Sequence, residues 1–128
     1  MIHNCFYVMC GGALGALSRY LVATACTHVR VLSLPIGTFV VNVVGCFLLG
    51  FFAVMGEQCT SLPRPWLLLF TVGFCGSFTT FSTLTSELYL TTSAGQLWHA
   101  LLYLAASVVV GFALFVLGRT AALQCFTA

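Results

Sequence analysis

The sequence predicts an all-α membrane protein with four transmembrane helices in a single domain, residues 1–128. Of its side chains, 61% are hydrophobic and 5% are charged, too few polar groups to cover a water-soluble globule of this size. Four apolar runs are long enough to cross roughly 30 Å of hydrocarbon, at about 5–26, 36–56, 65–90 and 97–120. The alternative, a soluble helical core, needs polar faces that runs such as LLYLAASVVVGFALFVLG lack.

The first run contains the stretch GGALGALSR. Gly11 and Gly15 form a GxxxG face, which predicts close approach of another helix backbone. Arg19 follows Gly15 by one helical turn, on the same face. An arginine near the end of a span either extends to the lipid headgroups or has a functional partner, and the sequence leaves both interpretations open.

The second run carries one polar stripe, because Thr38 and Asn42 are four residues apart and Gly45 continues the same face. The Asn42 amide has donors that lipid cannot satisfy. It therefore either bonds to a neighbouring helix or meets a permeating ion.

The fourth run repeats this arrangement with Tyr103, Ser107 and Gly111 at intervals of four residues. Two single polar stripes in a chain with almost no charge indicate a narrow pathway lined by hydroxyl, amide and aromatic groups.

The third run contains GFCGSFTTFSTLTSE, residues 73–87, with seven hydroxyl side chains and two glycines in fifteen positions. Both residue types lower helix propensity, which predicts a helix broken near its middle. Unwound backbone in a membrane is tolerated where it faces protein or an ion cavity, and its carbonyls can then bind a cation. The alternative is a continuous helix whose hydroxyls bond to carbonyls one turn earlier.

The loop charges give little orientation signal. With the N-terminus inside, Arg64 and Arg119 lie inside and Arg30 lies outside, so the margin is a single arginine. Insertion in both orientations is therefore compatible with the charges.

Three motifs together resemble those of the small fluoride channels called Fluc or CrcB. GGALGALSRY is similar to that family's GGxxGAxxRY, GTFVVNVVG to its GTLxVNxxG, and GFCGSFTTFSTLTSE to its GFxGGxTTFSTFSxE. The resemblance spans the chain and implies a passive fluoride channel in the cell membrane. It also implies an antiparallel, dual-topology homodimer with two fluoride pathways and a structural sodium ion on the two-fold axis.

The resemblance also implies residue roles. The backbone carbonyls of Gly76 and Thr79 are expected to hold the sodium, and Arg19 and Glu87 to lie near a vestibule or to be structural. Asn42 is expected to donate its amide to fluoride and Phe81 to present a ring edge. The expected fluoride pathway comprises Thr38, Asn42, Phe81, Ser82, Thr83, Leu84, Tyr103 and Ser107.

Two positions depart from the family pattern. Leu84 stands where the second phenylalanine of TTFSTF belongs, and Ser77 replaces the second glycine of the pair. Leucine has no ring edge to offer an anion, so the fluoride site is expected to be weakened. The remaining groups still suit fluoride, since a pore must replace its hydration shell with many weak donors.

Other classes fit less well. A proton-coupled small multidrug or ion exporter of similar four-span dimeric architecture is the alternative, but it needs an acid in the first span, where this chain has only Arg19. A membrane scaffold does not explain three polar spans. An enzyme is not expected, because no nucleophile with a base, paired acids or metal-ligand cluster is visible. Nothing suggests a nucleic-acid partner.

Overall fold

The computed structural model describes residues 2–31, 34–59 and 62–127. The chain begins with a long helix and a two-residue β-ribbon, and a second long helix follows. These elements are α1 (Ile2–Ala25), β1 (Arg30–Val31), β2 (Leu34–Pro35) and α2 (Ile36–Gln58). The two strands pair antiparallel, with Arg30 opposite Pro35.

The third span is built from several helical pieces, and one long helix closes the chain. The pieces are α3 (Arg64–Leu68), a π-helix π1 (Leu69–Cys75), α4 (Gly76–Phe78) and α5 (Phe81–Ser93), and the last helix is α6 (Leu97–Thr127). Within the described residues, four helical segments are long and apolar enough to cross a membrane: Ile2–Ala25, Ile36–Gln58, Arg64–Ser93 and Leu97–Phe126. The four predicted spans are confirmed, and the last one is longer than expected.

The predicted break in the third span is confirmed at Thr79 and Thr80. Thr79 has φ −77° and ψ 156°, and Thr80 has φ −149° and ψ 113°, so both residues are extended. The break separates α4 from α5 near the middle of the span. The π-helix that precedes it was not predicted.

The GxxxG face of α1 packs directly on π1. A Cβ on Gly11 would overlap the backbone carbonyl of Leu69, and one on Gly15 would overlap that of Phe74. Gly73, on the π1 side of the same contact, lies against the backbone of Gly11. The close helix approach predicted from this motif is therefore confirmed, with the first half of the third span as the neighbour.

Helices α2 and α6 form the most extensive helix pair. Gly50 lies against the backbone of Phe115, and Gly118 lies against that of Phe47, so each helix contributes a glycine where the other backbone comes close. The end of this pair is joined by two Arg119 to Glu57 hydrogen bonds, of 3.0 and 3.1 Å. With α1 and the third span packed beside it, this pair places the Asn42 stripe of α2 against the break.

Candidate ion pathway

The side chain of Asn42 holds the break in place. Its Nδ2 donates to the Thr80 carbonyl oxygen at 3.2 Å, and its Oδ1 accepts from the Thr80 backbone N–H at 2.8 Å. The amide thus pairs with both backbone groups of one extended residue, as a residue of a neighbouring antiparallel strand would. Further along the same stripe, a Cβ on Gly45 would meet the Thr79 side chain, so this face of α2 lies directly against the break.

The break leaves several backbone carbonyls without their usual helical donors, and those of Gly76 and Thr79 are among them. In a continuous helix Gly76 would accept from the Thr80 N–H, but that group donates to Asn42. Thr79 would accept from the Thr83 N–H, but that group donates to Thr80 Oγ1 at 3.3 Å. Both carbonyl-bearing residues line a cavity of about 300 Å³ that also contacts Asn42. Free carbonyls beside a cavity are ligands suited to a hard cation.

Helix α5 begins with a hydroxyl cap. Thr80 is its N-cap residue, with an extended backbone and a side-chain oxygen that accepts from Thr83. The Thr80 hydroxyl also lies 3.0 Å from Thr83 Oγ1 and 3.3 Å from Ser82 Oγ. These three hydroxyls surround the first turn of α5, where the helix dipole favours an anion.

A second cavity, of about 250 Å³, lies next to this N-terminus. Its lining includes Arg19, Thr38, Thr80 and Thr83. The Arg19 Nε is buried and has no hydrogen-bond partner within the described residues. A buried donor without an acceptor is costly, by about 1–3 kcal/mol, which favours an anionic or water ligand in this cavity.

Glu87 lies between two residues of the expected fluoride pathway. Thr38 Oγ1 donates to its Oε1 at 2.6 Å, and the Tyr103 hydroxyl donates to its Oε2 at 2.9 Å. The carboxylate therefore joins α2, α5 and α6. It orients both hydroxyls, so Glu87 is in direct contact with Thr38 and Tyr103 of the expected fluoride pathway, and the vestibule or structural role expected for it stays a prediction.

The remaining pathway residues differ in exposure. Ser107 Oγ is buried without a partner in the described part of the chain. The Phe81 side chain is 78% exposed and lines the cavity at the break, whereas Leu84 is 6% exposed. The exposed ring is free to contact a second molecule, and the leucine belongs to the interior.

Two features of this site were not predicted from the sequence. In the sequence, Thr80 is one of seven hydroxyl residues between positions 73 and 87, and nothing there singles out its backbone as the partner of Asn42. An N-cap threonine at the start of a predicted helix is a recognisable signal and could have located the break more closely. The contact of Glu87 with two spans depends on packing, for which the sequence holds no local signal.

The fold and site together define a multi-pass membrane protein in which amide, hydroxyl and carbonyl groups converge on a broken helix. A family model described as CrcB-like protein, Camphor Resistance (CrcB), matches residues 6–119. The chain belongs to this family.

Several relatives carry the name fluoride-specific ion channel FluC. The Prosthecochloris aestuarii protein is 40% identical over 112 residues, covering 88% of this chain and 87% of that protein. The Oceanobacillus iheyensis protein is 38% identical over 124 residues, or 97% and 95% of the two chains. FluC 2 of Symbiobacterium thermophilum is 41% identical over 117 residues, or 91% and 95%.

Proposed function

We propose that this protein is a passive, fluoride-selective channel of the plasma membrane that lets fluoride leave the cell. The observation that carries the proposal is the donor-lined cavity of about 250 Å³ beside the N-terminus of α5, in which the Arg19 Nε is buried without an acceptor among the described residues. The names of the relatives support fluoride as the ion.

The Arg19 cavity is suited to receive an anion. It combines one guanidinium with the hydroxyls of Thr38, Thr80 and Thr83, beside the N-terminus of α5. The positive end of the helix adds to the attraction for negative charge. Such a cavity concentrates fluoride before the ion reaches the hydroxyls of Tyr103 and Ser107.

Next to this cavity, fluoride and the Glu87 carboxylate compete for the hydroxyls of Tyr103 and of Thr38, which lines the cavity. Thr38 and Tyr103 each donate to one carboxylate oxygen. A fluoride ion that enters here can accept hydrogen bonds from these two hydroxyls while the carboxylate turns away. Each bond compensates for part of the hydration shell that the ion loses. Ser107, one turn beyond Tyr103 on α6, is the next donor, and its Oγ has no partner to give up within the part of the chain that the structure describes.

A single chain leaves the break incomplete, which supports a homodimer. Gly76 and Thr79 offer two carbonyls, fewer than a hard cation usually takes, and the adjacent Phe81 ring is 78% exposed. A second copy meeting the first at the break would double the carbonyl set and cover the ring. Sodium bound there would offset the repulsion among these carbonyl dipoles and hold the copies together.

The two copies are proposed to be antiparallel. The break lies near the middle of the span Arg64–Ser93, so copies inserted in opposite directions meet at the same depth. The loop arginines leave a margin of one for either orientation. A two-fold axis in the membrane plane then passes close to Thr79 in both copies.

Fluoride efflux from proteoliposomes, followed with a fluoride electrode, tests the function. Valinomycin in a potassium gradient should release fluoride without any proton gradient, and chloride should remain trapped. Release that requires a proton gradient would instead indicate a coupled exporter. Equal release of chloride would exclude a fluoride-selective channel.

A labelling experiment tests the dual orientation. A variant without the native cysteines carries one cysteine in place of His28, which is exposed in the loop after α1. In sealed inner-membrane vesicles, a membrane-impermeant thiol reagent should label about half of the chains before disruption and all of them afterwards. Complete or absent labelling before disruption contradicts the antiparallel arrangement.

A further inference from the structure

We propose that Leu34 and Leu84 are positioning residues that hold the Tyr103 ring where its hydroxyl reaches Glu87. This inference rests on the proposed function, because it assigns a purpose to contacts around one pathway residue. It also assigns a structural role to Leu84, which otherwise only replaces the second phenylalanine of the family motif.

The three side chains form one buried cluster. Leu34 is 4% exposed, Leu84 is 6% exposed and Tyr103 is 7% exposed, and they come from β2, α5 and α6. Phe39 and Leu88 pack against the cluster from outside, and the Phe39 and Tyr103 ring centroids are 6.3 Å apart. Contacts from separate elements therefore restrict the tyrosine ring.

The ring needs such restraint because one of its sides is open. An almost wholly apolar cavity of about 340 Å³ lies beside Tyr103, lined also by Leu34, Phe39 and Leu102. The Tyr103 hydroxyl lies 2.9 Å from Glu87 Oε2. A small displacement of the ring would weaken this hydrogen bond, since hydrogen bonds weaken steeply when their distance or angle departs from the preferred values. A ring that tilts into this space withdraws its hydroxyl from Glu87.

Leu84 lies between the tyrosine and the break. It belongs to the Tyr103 cluster and also lines the 300 Å³ cavity that contains Phe81. A phenylalanine at this position would have to displace Tyr103 or extend into that cavity. A leucine keeps the ring of Tyr103 supported, so the departure from the family motif is compatible with an ordered hydroxyl track.

A double-mutant cycle in proteoliposomes tests the inference. Tyr103→Phe removes the hydroxyl and should lower fluoride flux by about tenfold, the order expected for losing one hydrogen bond to a charged group. Leu84→Ala and Leu34→Ala should each lower flux in the wild-type background but add less than about twofold in the Tyr103→Phe background. Additive losses, or a Tyr103→Phe variant with unchanged flux, would overturn the proposal.

An infrared measurement gives a readout independent of transport. The carboxylate band of Glu87, assigned with Glu87→Gln, should shift when Tyr103→Phe removes the donor. Leu84→Ala should reproduce that shift, and Leu84→Met, which keeps apolar volume, should restore both the band and the flux. An unshifted band in Leu84→Ala contradicts positioning even if wild-type protein conducts no fluoride, which separates this failure from that of the proposed function.

Val54→Ala is the matched control for loss of buried volume. Val54 is fully buried in α2 but lies outside the Leu34 cluster. Its truncation should leave both the flux per folded protein and the Glu87 band unchanged. A loss of flux as large as that of Leu84→Ala would show that general destabilisation, and not the position of Tyr103, is responsible.

Discussion

Replacing Asn42 by alanine should weaken the fold and block transport together. The substitution removes the 3.2 Å and 2.8 Å hydrogen bonds that tie α2 to Thr80. Hydrogen bonds between transmembrane helices contribute about 0.6 kcal/mol each on average, and soluble ones about 1 kcal/mol. Together the two bonds account for roughly 1–2 kcal/mol.

The unpaired Thr80 N–H adds to this cost. It would remain in a region of the membrane where only cavity water can replace the amide, whereas the Thr80 carbonyl, at the N-cap of α5, still accepts the first bond of that helix. Cavities of about 300 and 250 Å³ border Thr80, so water can reach its backbone. The cost of the unpaired group therefore stays near the lower end of the range of about 1–3 kcal/mol. We expect Asn42→Ala to reduce the free energy of unfolding by about 2 kcal/mol.

Transport should fall more than stability alone explains. Nδ2 has two hydrogens, and one bonds to the Thr80 carbonyl, so the other remains available to donate to an ion in the proposed fluoride pathway. Asn42→Asp keeps an acceptor for the Thr80 N–H but places negative charge beside this proposed pathway, so its flux should also be lost. Thr120→Val, which removes an exposed hydroxyl bonded within its own helix, is the control and should change neither quantity.

The measurements are equilibrium unfolding in mixed micelles and fluoride efflux from proteoliposomes at matched protein content. If Asn42→Ala unfolds within about 0.5 kcal/mol of wild type, the amide does not hold the break. If the variant is destabilised but its folded fraction conducts normally, Asn42 is a structural residue only.

Three further predictions concern other parts of the chain. Gly15→Ala should impair folding more than Gly95→Ala. The new Cβ at position 15 meets the Phe74 backbone, whereas position 95 has open space and a φ of 78° that costs an alanine roughly 1 kcal/mol. Thermal unfolding of both variants in detergent checks this order. Glu87→Gln should lower fluoride flux, because the amide keeps only one oxygen for the two hydroxyl donors; efflux assays should show the loss, and wild-type flux would contradict it. Arg119→Ala should leave flux unchanged and cause a small loss of stability. The ion pair of Arg119 with Glu57 is partly solvated, so salt screens it and the loss should disappear in high salt. A loss that persists in high salt would contradict a screened surface ion pair.

The sequence by itself determined the membrane class, the four spans, the glycine face of α1 and the break in the third span. These features depend on local composition and helical spacing: apolar length, small residues one turn apart, and hydroxyls that compete for backbone hydrogen bonds. Such signals lie within one segment, so they can be recognised without knowing the neighbours. The roles expected for Gly76 and Thr79 came from the family resemblance and stay predictions.

Only the tertiary structure decided which groups meet. The pairing of Asn42 with the Thr80 backbone, and the placement of Glu87 between Thr38 and Tyr103, join residues that are 16 to 49 positions apart. Helical periodicity gives the face on which a side chain lies, but not the rotation and depth at which that face meets the next helix. Those depend on packing, here on the close glycine contacts between α1 and π1 and between α2 and α6. The burial of Leu84 beside Tyr103 is decided in the same way, because it results from contacts among three separate elements.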